Sequence, residues 1–420
     1  MRAIRAALVF AESRYAASLA VICLFAACLR AIARIVRGQD DFWVSGYLLH
    51  FELVHSLAQG HGYALDGVAT AFRVPLYPMA LAAVSGGEKL FWAVLAFNTI
   101  VSTLIVVAGA ILTADLFGKR AALIAGVILA IYPYYVVHDM TMSELPLFTL
   151  LTLVGTIALL RAWRGGSLPL AASAGILFGL ALLTRATLLP FLFVAALWLA
   201  LVPGRAAGRQ RGIAMALLLS AAALATVSPW LAYSQKVVGA PVLGTETGMA
   251  LFGGNNAQTF SHYPQGSIDE SRAAAYAALS PADKAALERL HPDPLAEGRW
   301  LRARALNWIA ANPQEAALGA VRKVAAAFGP LPSPRKRAGA DLAHALSYGP
   351  ILLLALWGMW AARAHWREHL PIYAQIACFA AVTALIWGHT SHRSFLDVYL
   401  ITFAAFALSR LPLVRDVAAS

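Results

Sequence analysis

Charge is scarce in this chain of 420 residues: Asp, Glu, Lys and Arg make up 13% of it, against 60% apolar and aromatic residues. A soluble core of that size cannot hide so much apolar side chain, so the soluble classes are excluded. With a mean hydropathy of +0.68 the chain reads as an integral membrane protein. Cysteine is nearly absent. Cys23, Cys28 and Cys378 all fall inside apolar segments, at a spacing that suits neither a disulfide framework nor a metal site. Acidic residues are fewer than basic ones, giving a net charge of +12. The basic residues sit mainly in short loops between apolar runs, where they set orientation and do not form a nucleic-acid surface. The P-loop, dinucleotide fingerprint, nucleophile elbow, internal repeats and low-complexity tracts are all missing. The opening stretch Met1 to Tyr15 lacks a small-residue cleavage site, and the apolar run after it is long enough to stay in the membrane. Targeting by an uncleaved first helix is expected.

What is present is a series of apolar runs. At about twenty residues per crossing, about ten spans are expected, near 15–36, 90–114, 121–137, 145–161, 168–184, 187–202, 212–232, 346–362, 371–388 and 395–410. The fold class is then all-α, a polytopic transmembrane helical bundle. If the N-terminus is cytoplasmic, every second loop should be basic. They are: Arg2, Arg5 and Arg14; Lys119 and Arg120; Arg161 and Arg164; Arg205, Arg209 and Arg211; Arg363 and Arg367; Arg410 and Arg415. Both termini are then cytoplasmic, and the loops at 37–88, 138–144, near 185, 233–345 and 389–394 share the outer face. Three parts follow: a transmembrane module at 1–232, a large outer loop with surface helices at 233–345, and C-terminal transmembrane helices at 346–420.

The first outer loop is the best organised. Asp40 and Asp41 lie just beyond the first span; Ser45 to Ala58 has apolar residues at helical spacing, closed by Gly60 and Gly62; then comes the turn Arg73-Val74-Pro75-Leu76-Tyr77-Pro78. Ordered loops of this length are usually functional. Arg30, Arg34 and Arg37 share one helix face at the outer end of the first span. Two readings stand for them: anchoring at the interface, or facing an anionic lipid phosphate or the Asp40–Asp41 pair. The loop at 138–144 brings Asp139 and Glu144 to the same side. Arg185, at a hairpin apex with almost no other polar residues, reads either as a phosphate ligand or as an interfacial anchor. In the large loop, Gly253-Gly254-Asn255-Asn256 suits tight turns and close approach of backbone to a ligand. Helices are expected from Ser280-Pro281-Ala282-Asp283, over 294–311, and over 314–328, before a stiff connector with Pro330, Pro332 and Pro334. The last outer loop holds His389, His392 and Arg393. The histidine pair without a third ligand leaves three readings: metal, a phosphate site with Arg393, or plain loop.

In their order, and in falling on one side of the membrane, these features resemble the GT-C class of integral membrane glycosyltransferases. The closer likeness is to bacterial relatives of the protein O-mannosyltransferase and aminoarabinose transferase families. The resemblance rests on Asp40-Asp41 (the family usually has Asp-Glu), Gly60-His61-Gly62-Tyr63, the Arg73 to Pro78 turn, Ser143-Glu144, Leu183-Thr184-Arg185, Gly253 to Asn256, Asn312-Pro313 and His392-Arg393. It implies inverting transfer of a sugar from a polyprenyl-phosphate donor to a cell-envelope acceptor, at the outer face of a bacterial inner membrane, with membrane lipids as surroundings and no nucleic acid. Asp40 is implied as base, with Asp41 beside it. Arg185, His392, Arg393 and Arg73 are implied for the lipid phosphate; Asp139, Glu144, Tyr77, Asn255 and Asn256 for acceptor or sugar. No cofactor is fixed, and a divalent cation (Mg or Mn) on Asp139 and Glu144 stays open. Other readings are a polyprenyl-linked glycan ligase or polymerase, a carrier flippase or transporter, and a non-catalytic scaffold. A transporter should show inverted repeats, broken helices or charges at mid-membrane, and the sequence shows none.

Overall fold

The computed structural model describes residues 10–40, 48–86, 91–204, 206 and 208–411. Helix follows the apolar runs almost throughout. The first span is α1 (Tyr15–Arg37); the first loop folds into α2 (Leu48–Ala58), a hairpin of β1 (Ala64–Leu65) and β2 (Val68–Ala69), and α3 (Leu76–Ser85). Then come α4 (Phe91–Phe117), α5 (Lys119–Ile131), α6 (Pro133–His138), α7 (Leu145–Gly165), α8 (Leu168–Thr184), α9 (Leu189–Leu201) and α10 (Arg209–Val238). The large loop carries α11 (Thr247–Gly254), α12 (Ile268–Ala277), α13 (Pro281–Leu290), α14 (Pro294–Ala311) and α15 (Pro313–Phe328). The chain returns through α16 (Ala338–Ala361), α17 (Trp366–Ile386), α18 (Thr390–Arg393) and α19 (Asp397–Ser409). Among the described residues, α1, α4, α7, α10, α16 and the stretch Arg363–Ile386 are long and apolar enough to cross a membrane. Shorter apolar helices lie beside them. The all-α, multi-pass expectation is met.

One expected span is two helices. The run 121–137 breaks at Tyr132 (φ −58°, ψ 112°), because Pro133 disfavours helical backbone in the residue before it and brings no N–H. The break turns two tyrosines inward: Tyr132 Oη donates to Asp397 Oδ2 at 3.0 Å and Tyr135 Oη to the Ser394 carbonyl at 2.7 Å. Their acceptors lie at the head of α19, which is buried from Asp397 through Ala405 and so forms the centre of the bundle. Around it, Thr156, Gln375 and Tyr399 close a ring of hydrogen bonds across three helices, the polar contacts that hold helices together where lipid offers no hydrophobic drive.

Backbones approach closely where α8 meets α10. A Cβ on Gly175 would run into the Leu219 carbonyl, and one on Gly179 would lie 3.0 Å from the Ala223 carbonyl. Gly175→Leu is therefore expected to destabilise by about 1–3 kcal/mol through overpacking, read as a lowered thermal midpoint in detergent. The same change at Gly165, where nothing lies within 4 Å, should leave the midpoint unchanged.

The basic loops gather at one end of the bundle, where Arg120 pairs with Glu12, Arg161 with Asp115 and Arg164 with Glu368. The other end carries the long loops, and the candidate site is there.

Candidate active site

Three separate pieces of chain meet on one carboxylate. Glu144, at the head of α7, accepts a hydrogen bond from Arg185 Nη1 at 2.8 Å on Oε1 and lies 3.1 Å from His50 Nε2 through Oε2. Glu144 and His50 are buried. Arg185 is extended (φ −158°, ψ 116°) between α8 and the turn that follows, which aims its side chain across the end of the bundle. His50 is supplied by α2, with the Tyr77 ring edge-on to it at 5.1 Å. Gly60 and Gly62, both at positive φ, end α2 as the sequence predicts.

Burial alone would raise the Glu144 pKa, but the His50 hydrogen bond and the Arg185 guanidinium outweigh it and hold the carboxyl well below the usual carboxylate range. A depressed native pKa stabilises above the unfolded value, near 4.3, and that stabilisation is lost as pH falls below it. Thermal unfolding followed from pH 6 down to pH 3 should therefore fall more steeply for the wild type than for Glu144→Gln.

The Arg73 to Pro78 turn closes over this cluster. Tyr63 Oη reaches the Arg73 and Val74 carbonyls at 3.1 and 3.2 Å, and Tyr63 is itself held by Tyr233. This is the physical use of the Gly60 to Tyr63 motif. Arg73 Nε pairs with Glu246 Oε2 at 3.1 Å, a carboxylate from the start of the large loop. From the last loop, the His392 and His389 rings stack at 5.4 Å. His389 Nε2 accepts from the Ile268 backbone N–H. Burial and the nearby Arg185 push the His392 pKa well below its ordinary value. His392 is thus held towards its neutral form, while Arg185 and Arg73 bring positive charge to the site.

Asp40 is exposed, two residues beyond Gly38. The link to the cluster is Arg34: Nη2 donates to the Gly38 carbonyl at 2.8 Å and Nη1 to the Met140 carbonyl at 3.0 Å. The end of α1 is thereby held against the loop that carries Glu144. Asp41, Trp43 and the expected helix start at Ser45 lie outside the described residues. Arg34 and Arg30 correct the reading of them as interfacial anchors. They are buried; Arg30 donates to Ser102 Oγ and to the Ala130 and Leu129 carbonyls at the end of α5. Ser102 in turn donates to Asp139 Oδ2 at 2.5 Å. Desolvation raises the Asp139 pKa to about 6, against the pull of Arg30 and Ser102.

Three of the expected binding residues are engaged by the protein's own groups. Arg393 is fully buried, its guanidinium 3.6 Å from the Tyr348 ring centre and 3.4 Å from Asp397 Oδ2. It braces the interior. Asn255 Nδ2 donates to the Leu251 and Leu385 carbonyls, and its Oδ1 accepts from the buried Lys323. Asn256 caps its own turn, donating to the Phe252 carbonyl and accepting from the Gln258 N–H. Both Glu144 oxygens are engaged by side chains, Asp139 faces Ser102, and no group of three metal-ligating side chains converges among the described residues.

His50 and Glu246 are the site residues that sequence reasoning missed. His50 shares the stretch 48–58 with His55 and Glu52, and nothing in the spacing singles out the ring that turns inward.

Comparison with known proteins finds likenesses to membrane glycosyltransferases, the class to which the sequence resemblance pointed, over part of the sequence and in the fold. Residues 74–233 match the family model described as dolichyl-phosphate-mannose-protein mannosyltransferase. The fold is similar to that of the Archaeoglobus fulgidus oligosaccharyltransferase in its crystal structure with Zn and sulfate, with a TM-score of 0.51 and 14% identity. The match covers 92% of this chain and 48% of that one, so the chain spans about half the length of the archaeal protein. At that identity the likeness is one of fold. A search of curated proteins found no match.

Proposed function

We propose that the protein moves a sugar, with inversion, from a polyprenyl-phosphate carrier to a hydroxyl of a cell-envelope acceptor, at the outer face of a bacterial inner membrane. The observation that carries this reading is the meeting of Arg185, Glu144 and His50 at the loop-rich end of a GT-C-like bundle, with Arg34 holding the end of α1, two residues before Asp40, against the loop at 138–144. The acceptor oxygen attacks the anomeric carbon from the side opposite the phosphate. Asp40 takes the hydroxyl proton as the bond to the phosphate oxygen breaks, and the electron pair leaves on the lipid phosphate. Arg185 spends Nη1 on Glu144, and the remaining donors of its fork are there for the departing phosphate. Arg73, a second guanidinium at the same end, adds to the positive field. His392, held towards its neutral form, supplies a hydrogen bond.

The test is turnover by the full chain in nanodiscs, offered a panel of polyprenyl-phosphate sugars with cell-envelope extract as acceptor, following release of free lipid phosphate. Consumption of one donor supports the reading. If no donor in the panel is consumed, with or without extract, the reading fails.

A further inference from the structure

At the far end of α1 lies a feature unconnected with the site. A groove of about 620 Å³ runs between α1 and α5, walled by Ala17, Ser18 and Val21 on one side and Leu123 and Val127 on the other, with Leu408 at its foot. Small side chains on α1 leave the space. Within α1 the wall from Ala17 to Ile22 extends roughly 8 Å at helical rise, about half of the ~15 Å of hydrocarbon in one leaflet, and Phe10, Ala11 and Arg14 continue it beyond the turn at Arg14. Phe10, Val21 and Val127 are exposed along it.

The rim is basic and uncompensated. Arg14 lines the groove, its guanidinium 5.0 Å from the Phe10 ring centre. Lys119 sits over Tyr15, and Arg410 over Phe406 just past Leu408. Neighbouring Arg120, Arg161 and Arg164 each have a carboxylate; among the described residues Arg14, Lys119 and Arg410 have none. Basic pockets between transmembrane helices are a recurring form of anionic headgroup site.

We propose that this groove binds an anionic glycerophospholipid of the leaflet opposite the candidate site, one acyl chain along α1 and the headgroup phosphate on Arg14, Lys119 and Arg410. A second copy of the chain fits less well. Inserted with the same orientation, two copies would set one cationic rim against the other. The site has a structural use, since α1 is the most peripheral span, burying only Ala26, Arg30 and Arg34, and its other end leads to Asp40.

The proposal is tested on the full chain in mild detergent by native mass spectrometry and thermal unfolding, with phosphatidylglycerol and phosphatidylcholine of identical acyl chains. Phosphatidylglycerol should stay bound at least ~10-fold more tightly and raise the midpoint by several degrees more. Arg14→Glu with Lys119→Glu and Arg410→Glu should abolish that preference. Ala17→Trp, which fills the groove, should abolish retention without lowering the lipid-free midpoint. Equal retention of the two lipids, unchanged retention by Ala17→Trp, or a dimer that Ala17→Trp dissociates would each overturn it.

Discussion

Asp40→Asn is expected to leave the protein folded and to lower sugar release by about 10²–10⁴-fold, the usual contribution of a positioned general base. The two halves of this expectation have different causes. Asp40 is exposed, so an isosteric change there should shift stability by less than about 0.5 kcal/mol. The rate falls because an amide cannot take the proton that the acceptor hydroxyl must lose as it attacks. Position matters as much as basicity. The chain leaves α1 at Gly38, and Arg34 fixes that exit by donating to Gly38 and Met140 at once, so the backbone two residues before Asp40 is held against the loop that carries Glu144. Turnover of a consumed donor, compared at equal protein and equal thermal midpoint, decides the matter. An Asn variant that releases sugar at the wild-type rate removes Asp40 from the mechanism. Asp41 would be tested next in its place, because both Glu144 oxygens are already engaged.

The helices were legible because apolar runs of membrane-spanning length have few alternatives in water or lipid. The alternation of basic loops sorted their ends correctly, since Glu12, Asp115 and Glu368 are found pairing arginines at one end and the Glu144 cluster at the other. What spacing could not give was partners distant in sequence. The common face of Arg30 and Arg34 was readable, but not that Ser102 and the Met140 carbonyl would meet them inside the protein. The Arg393–Asp397 pair at i,i+4 was within reach of a local rule, and attention to it would have moved Arg393 from the site to the interior. Asn255 looked like a ligand-binding turn because its partner, Lys323, lies far along the chain. The break at Tyr132 was written in the Pro133 that follows it, outweighed in the reading by the hydropathy of the run.

Arg185→Ala is expected to fail in two ways that can be separated. Removing the guanidinium leaves Glu144 buried with the His50 hydrogen bond and the more distant Arg73 against its charge, and breaking a buried pair from one side costs about 3–5 kcal/mol. It also removes a donor aimed at the leaving phosphate, worth about 10²–10³ in rate at comparable sites. The double change Glu144→Gln with Arg185→Gln neutralises both partners, so no uncompensated charge remains and an amide pair can hydrogen-bond in its place. Most of the lost stability should return, and the rate should not. Arg185→Lys keeps the charge but loses the fork that serves carboxylate and phosphate together, so its rate should lie between wild type and alanine. Thermal midpoints and turnover measured across these variants distinguish the roles. If the neutral double variant recovers its rate along with its stability, Arg185 acts only by holding Glu144 in place, and the charge that stabilises the leaving phosphate has to come from Arg73.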